Sequence, residues 1–441
     1  MKTFSSPPRL LGKTRKWGLA VAIWVGLAPA GADATPEAKS PYLPFDQMAR
    51  VLVMVEHNYV EPAQREKLLD GAMRGLVAEL DPHSSYMNPK EFEEFQSDTE
   101  GKFAGIGIEV EMRDDYVTVL APIAGSPAAQ AGILSGDRIL AVDRKPLRGL
   151  KLDRIIELMR GEAGTKIALT VGREGATDPL HFDLVREVVR VASIETKRLD
   201  KGVLYIRLKQ FQETSHEELL RAVAKARRAN KVQFESVLLD MRFNPGGLVD
   251  QAELIADEFM NQGVIYSTRH RGQVLDLVEA TQGGALSREK LVILVNEYSA
   301  SAAELVAGAL QDTGRGKIIG ALTFGKGSVQ TIFELPGAAG LRLTTMRYYT
   351  PNGRAIQAQG IDPDIVIKPS KVVDVIREGD LDGALAAEAE RAPRNGQISY
   401  DAPADSKPIV SVAEIPLDPR QSKDFALGKA FDTLVTTAAS R

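Results

Sequence analysis

The sequence predicts an α/β core that follows a unit of short strands and is flanked by helical segments. Three observations carry this. Two continuous apolar runs, Val237-Leu238-Leu239 and Leu291-Val292-Ile293-Leu294-Val295, read as strands buried on both faces. Each run breaks at a turn into a segment of helical period, residues 249–260 and 304–310, which is the strand–turn–helix order of an α/β core. Residues 101–171 instead show short alternating strands divided by Gly-containing turns.

The 441 residues give room for two or three domains at about 150 residues each. Hydrophobic residues at 44% and charged residues at 26% suit an ordinary globular protein. A formal net charge of -4 argues against a nucleic-acid partner. The absence of Cys excludes disulfides, thiolate metal sites, a cysteine nucleophile and a lipidated N-terminal cysteine. No cofactor and no metal site is expected.

Residues 1–32 read as a signal peptide. Lys2, Arg9, Lys13, Arg15 and Lys16 precede an apolar run over 17–28, too short to span a bilayer comfortably. Ala28-Pro29-Ala30 and Ala30-Gly31-Ala32 both suit cleavage. The mature protein is therefore expected to be exported.

Residues 33–100 form a helical N-terminal segment. Phe45, Met48, Leu52, Val55 and Tyr59 share one helical face, and Leu68, Leu69, Met73, Leu76, Val77 and Leu80 form the stripe of a second helix. Asp81-Pro82 ends it, because Pro disfavours helical geometry in the residue before it. His83-Ser84-Ser85 reads as a capped turn, with Asn88 or Ser85 starting a helix over 89–96. Strands follow at Ile106/Ile108/Val110 and Val117/Val119, then a loop and short helix over 125–132, a turn and strand over 136–143, a helix over 152–159 and a strand over 166–171.

From Val189 a new unit begins: a strand over 201–208, an amphipathic helix over 215–229, the strand Val237 to Arg242, and Asn244-Pro245-Gly246-Gly247 leading into a helix. After the 291–295 strand, Asn296-Glu297-Tyr298 turns into Ser299-Ala300-Ser301-Ala302-Ala303. Strands over 329–335 and 341–349 read as a hairpin, and Gly360 to Asp364 leads to a last strand. Residues 371–441 are expected to be a C-terminal tail with a terminal helix over 424–436.

Ser301 stands where a buried strand gives way to a helix N-terminus. Backbone N–H groups there are unpaired and the helix dipole favours a developing anion, so a small nucleophile is well placed. Lys326, between Gly325 and Gly327 and near Phe324 and Val329, is a candidate general base if desolvation keeps its amine neutral. The N–H of Ala302 can donate to an oxyanion, and Gly246 or Gly247 can supply the second donor. The five His residues are scattered, and none sits in a matching motif. By itself, a serine before a helix is most often a cap.

Two resemblances add to this. Gly105-Ile106-Gly107-Ile108, Ser126 to Gly132 and Leu134 to Ile139 resemble a PDZ domain, placed at 101–188. That resemblance implies peptide binding at a sheet edge, with Gly105, Ile106, Gly107 and Ile108 holding a terminal carboxylate. Nearly all the chain from the first helices to about residue 370 resembles the C-terminal processing peptidases, or tail-specific proteases. The segments that carry this are 76–86 (LVAELDPHSSY), 158–161 (LMRG), 242–247 (RFNPGG), 296–304 (NEYSASAAE), 325–330 (GKGSVQ) and 348–364 (YYTPNGRAIQAQGIDPD).

The family resemblance implies a ClpP/crotonase-like α/β protease core over 189–370. It implies Ser301 as nucleophile, Lys326 as base, and Gln330 as a polar residue orienting the lysine. Gly246, Gly247 and Ala302 fall where oxyanion donors are expected, and Arg160 resembles an arginine that couples the PDZ position to the site. It further implies ATP-independent serine endopeptidase activity on proteins with loose C-termini, a periplasmic location, self-association into a homo-oligomer through helical terminal segments, and in some members an adaptor protein. The alternatives are a non-catalytic PDZ scaffold that binds C-termini, and an acyl-group enzyme acting on small esters.

Overall fold

The computed structural model describes residues 42–100, 102–113, 115–123, 125–229, 234–369, 375–388, 397–409 and 411–436. The expected signal peptide lies outside the described residues. Two compact units divide at Leu68/Leu69. In the first, α1 (Leu43–Asn58) forms as its periodicity predicts, yet none of its residues is buried: Phe45, Met48, Val51 and Met54 are all exposed. The division falls within α2 (Arg65–Ala78).

In the second unit a turn follows the end of α2. The Asp81 carboxylate accepts hydrogen bonds from the backbone of His83 and Ser84 and from the Ser84 hydroxyl, so the His-Ser cluster is a capped turn, as expected. β1 (Ser85–Met87) follows, then α3 (Pro89–Thr99). Asn88 and Glu91 each accept from the other's backbone N–H, forming a capping box at the start of α3.

The short-strand region is a separate sheet. In chain order it holds β2 (Lys102–Gly105), β3 (Ile108–Arg113), β4 (Tyr116–Pro122), α4 (Pro127–Gln130), β5 (Arg138–Val142), β6 (Lys145–Pro146), α5 (Leu152–Met159), β7 (Lys166–Gly172), β8 (Leu180–Val185) and β9 (Glu187–Arg190). The strand order is β3-β4-β5-β7-β8, with β6 beside β5, so β3 is an edge. β2 and β9 pair antiparallel as a two-stranded ribbon through which the chain enters and leaves this region. Its core is Val117, Val119, Ile139, Ile155, Ile167 and their neighbours.

The remaining elements are β10 (Ile194–Arg198), β11 (Val203–Leu208), α6 (Ser215–Arg228), β12 (Ser236–Asp240), α7 (Val249–Phe259), β13 (Val264–His270), β14 (Gln273–Glu279), β15 (Lys290–Val295), α8 (Ala302–Asp312), β16 (Lys317–Gly320), β17 (Ser328–Leu335), β18 (Ala339–Tyr349), β19 (Ile365–Lys368), β20 (Ile398–Asp401) and α9 (Phe425–Thr436). Seven strands form one sheet in the order β10-β11-β12-β15-β16-β19-β20. From β11 to β20 every neighbour is parallel, while β10 runs antiparallel at one edge. Because side chains alternate across a strand, Leu239 and Ile293 pack with α6, α7 and α8, and Leu238, Val292 and Leu294 pack with α9. This burial on both faces explains the unbroken apolar runs. The long hairpin β17–β18 joins β1, β13 and β14 in a second sheet.

The C-terminal stretch departs from expectation. Residues 371–441 are expected as a tail with a terminal helix; the helix forms as α9 and buries Leu427, Phe431 and Leu434 against the central sheet, while β20, which is not expected, extends that sheet. Its polar, loop-rich composition hides the strand, because outside α9 the apolar contacts come from single residues such as Val412 and Ile415 set among polar ones.

Candidate active site

Ligands of parallel sheets bind beyond the carboxyl ends of the strands. There, the turns after β12 and β15 are stitched together. Asn244 is fully buried: its Nδ2 donates to Leu208 O at 2.9 Å, its Oδ1 accepts from Gly246 N, and its O accepts from Ala300 N. The Ser299 hydroxyl donates to Met241 O at 2.9 Å. Ser301 lies at the N-cap of α8 with φ 56 and ψ -118. An ordinary N-cap residue is extended, and a non-glycine backbone held with φ above zero costs about 1–3 kcal/mol. The cap reading is thus correct for position and incomplete for conformation.

Glycine is required beside this serine. A Cβ on Gly246 would stand 2.8 Å from Ser301 Cβ and 2.9 Å from Ala300 O, and one on Gly247 would stand 2.1 Å from Phe211 O. Phe211 N donates to Gly246 O and Leu248 N donates to Phe211 O, so the Gly247 N–H faces the other way. Gly246 N–H is taken up by Asn244. The N–H groups of Gly247 and of Ala302, the first residue of α8, have no acceptor among the described residues.

Glu304, fully buried one turn into α8, holds the two halves of the site. Its Oε2 accepts from Ser301 N and Lys326 N, each at 2.8 Å, and its Oε1 accepts from Gly325 N at 2.7 Å and the Thr323 hydroxyl at 2.5 Å. Burial pushes this carboxyl up to about 7, against the four hydrogen bonds that favour its ionised form. Phe324 N donates to Ser299 O, which lays the Lys326 loop on the turn before Ser301. A Cβ on Gly327 would meet Gln357 N at 2.2 Å, so glycine is what lets this loop approach the 356–360 segment.

Desolvation first, and the charge of Arg342 second, lower the Lys326 amine to about 8 against the opposing charges of Glu378, Asp81 and Glu304. The Ser301 hydroxyl and the Lys326 amine form no direct hydrogen bond among the described residues; it is the backbone N–H groups of the two residues that Glu304 joins. Gln330 does not hydrogen-bond Lys326 here: its Nε2 donates to Ser328 Oγ at 2.9 Å and Thr344 Oγ1 at 3.2 Å.

Sequence reasoning missed the polar groups around Lys326. Thr344 Oγ1 donates to Asp81, Arg342 Nε donates to His83 O, and His83 Nε2 lies 2.7 Å from the fully buried Glu378. The turn at 81–84 therefore carries charge to within range of Lys326. Only its density of polar residues in a short span hinted at more than a cap. Also missed was a buried triad: Arg242 pairs with Asp240 at 2.7 Å and with Asp424 at 2.9 Å. Burial raises the Asp240 carboxyl, but the Arg242 charge and hydrogen bonds outweigh it and the net shift is downward. Asp424 thus ties the segment entering α9 to the turn that presents Gly246 and Gly247.

In the short-strand unit, Gly105, Ile106, Gly107 and Ile108 lie at the start of the β3 edge. A Cβ on Gly107 (φ 74) would collide with Ser126 Cβ at 2.3 Å, and the Ser126 hydroxyl donates to Gly107 O. Ala128 N donates to Ile106 O and Ile123 N to Gly107 O, while the N–H groups of Ile106 and Gly107 have no acceptor among the described residues. Arg160 is the exposed C-cap residue of α5. The buried arginine at that corner is Arg186, which donates to the carbonyls of Leu158, Met159 and Lys166. Lys209 links this unit to the core, pairing with Glu195 at 2.7 Å and with Glu109 of β3 at 3.3 Å.

Comparison with known proteins agrees with this architecture. Residues 202–367 match peptidase family S41, 118–173 match a PDZ domain, and 30–91 match the activating protease CtpB N-terminal domain. The chain is similar to the carboxy-terminal-processing protease of Bartonella bacilliformis, 40% identical over 383 residues that cover 84% of this chain and 87% of that protein. A probable CtpA-like serine protease of Staphylococcus aureus is 35% identical over 353 residues, 79% of this chain and 69% of that one. The solved photosystem II D1 C-terminal processing protease shares 28% identity over 72% of this chain and 91% of that chain, with a TM-score of 0.44. With its PDZ domain set ahead of the parallel-sheet core, the chain belongs to peptidase family S41, the family of the carboxy-terminal-processing proteases.

Proposed function

We propose that this serine peptidase cleaves flexible protein substrates without ATP, using Ser301 as nucleophile and Lys326 as general base. The observation that carries the reading is that one buried carboxylate, Glu304, fixes both the strained backbone of Ser301 and that of a desolvated lysine lowered to about 8. The neutral Lys326 amine takes the Ser301 proton as Oγ attacks the scissile carbonyl. The oxyanion is held by Ala302 N–H and, because Gly246 N–H is already engaged, by Gly247 N–H. Protonated Lys326 then gives its proton to the leaving amine, and water hydrolyses the acyl-enzyme. The missing direct Ser301–Lys326 hydrogen bond fits a resting site that tightens when substrate binds. Gln330 would orient the lysine only after its amide leaves Ser328 or Thr344.

The PDZ domain receives the substrate C-terminus: the free N–H groups of Ile106 and Gly107 suit a carboxylate, and the β3 edge suits an added strand. Arg160 is a candidate for coupling that binding to the core. The exposed apolar residues of α1 support self-association, and residues 1–32 support export. An adaptor protein is a further candidate partner. The test is digestion of β-casein without ATP, followed by mass spectrometry of new peptide ends. Wild-type protein should release them, whereas Ser301→Ala and Lys326→Ala should not while keeping the fold. Proteolysis at the wild-type rate by Ser301→Ala would sink the reading, and binding of casein with no new ends from the wild type would favour a scaffold.

A further inference from the structure

Two exposed aromatic rings flank the turns that carry the site. Phe243 is 40% exposed and Tyr298 46% exposed, and their rings stack with centroids 5.5 Å apart and planes 17° from parallel. Phe243 lies three residues before Gly246, and Tyr298 three before Ser301. Both backbones are fastened to one side chain, since Phe243 N and Tyr298 N both donate to Asn296 Oδ1. The pair is therefore built on the same stitched turns as Gly246, Ser301 and Ala302.

The conformation of Phe243 costs stability. Asn244 N donates to Met241 O, which closes a four-residue turn with Phe243 at its third position and φ 61. A turn with positive φ at that position calls for glycine, and a bulky aromatic is an outlier there. In return the residue is little more than half buried. A strained backbone, an exposed ring and a location beside the nucleophile point to a role outside the fold.

We propose that Phe243 and Tyr298 form an apolar platform that receives a hydrophobic side chain of the substrate close to the scissile bond, and so select where the chain is cut. This rests on the reading of Ser301 as nucleophile. The occupant is the substrate segment itself, because the platform is continuous with the turn that presents Ser301. The exposed surface of the stacked rings is flat and apolar, which suits Leu, Met or Phe better than a small polar side chain such as Ser.

The test uses two peptides with the same flexible C-terminal tail, taken around a bond that the wild-type protein cuts in β-casein and differing only in Leu or Ser at the cleavage position. Wild type should favour the Leu peptide by about tenfold or more in kcat/KM, the range expected of an apolar subsite. In Phe243→Gly and in the Phe243→Ser/Tyr298→Ser double variant the ratio should fall toward unity, chiefly through a higher KM for the Leu peptide. Phe243→Gly also separates function from structure: relief of the positive φ should leave its urea midpoint unchanged or raised, whereas a structural ring would give a lower midpoint. An unchanged Leu/Ser ratio in both active variants overturns the platform. So does a change of oligomeric mass with that ratio intact, which would assign the rings to contact between copies. Cleavage that survives in Ser301→Ala overturns the nucleophile and the platform together.

Discussion

Glu304→Gln keeps the size of the side chain and removes one acceptor. The carboxylate receives four donors, two on each oxygen. An amide has one oxygen. If that oxygen stays on Ser301 N and Lys326 N, the NH2 group faces Thr323 and Gly325. The Thr323 hydroxyl can turn and accept, but the Gly325 N–H cannot, so one buried donor loses its partner. That costs about 1–3 kcal/mol. The flipped amide would strand two N–H groups instead, so the first orientation wins. The urea midpoint should fall by the corresponding amount with an unchanged slope. The substitution also removes an anion that raises the Lys326 pKa. The acid limb of the kcat/KM profile, set near 8 by Lys326 in the wild type, should therefore move to lower pH. A wild-type midpoint would refute the four-donor account. An acid limb that stays in place or moves up would refute the electrostatic link between Glu304 and the base.

Further outcomes follow from the same geometry. In the wild type, kcat/KM should rise with pH through about 8, because the neutral amine of Lys326 is the active form; a rate that falls across that range would remove Lys326 as base. Gly246→Ala places a Cβ 2.8 Å from that of Ser301, and a displacement of the nucleophile of order 1 Å costs about 10²-fold; steady-state kinetics on casein peptides at wild-type rates would contradict it. Arg242→Met leaves Asp240 and Asp424 buried without their cation and should cost about 3–5 kcal/mol in denaturant unfolding. A loss below about 1 kcal/mol would mean that Asp424 is solvated when Arg242 is absent.

The core was readable where chemistry is local. The runs at 237–239 and 291–295 are apolar because both sheet faces are covered, and the turns after them are marked by small residues and glycines. The pairing of Ser301 with Lys326 rested on resemblance rather than on periodicity. What could not be read depended on distant chain segments. Asp81 and Thr344 are 263 residues apart in sequence and hydrogen-bonded in space. Arg242 and Asp424 are 182 apart. Neither partner carries a local signal for the other. The proposed preference for Gly247 over Gly246 depends on Asn244 occupying the Gly246 N–H, which local sequence does not reveal. The helical period of α1 was correct, but periodicity reports an apolar face and not what covers it, and none of α1 is buried.

The Arg242–Asp424 bond also sets an order of events. The turn that presents Gly246 and Gly247 is braced by a residue made long after Ser301 and Lys326. From Lys326 to Asp424 is 424 − 326 = 98 residues, which a ribosome adds in roughly 5–20 s at about 5–20 residues per second. Through that interval the chain already holds Ser301, Glu304 and Lys326, yet Arg242 and Asp240 lack their third member. Until Asp424 has been made, the turn that presents Gly246 and Gly247 lacks one arm of its brace, so the geometry of that turn is completed by a segment far downstream of it.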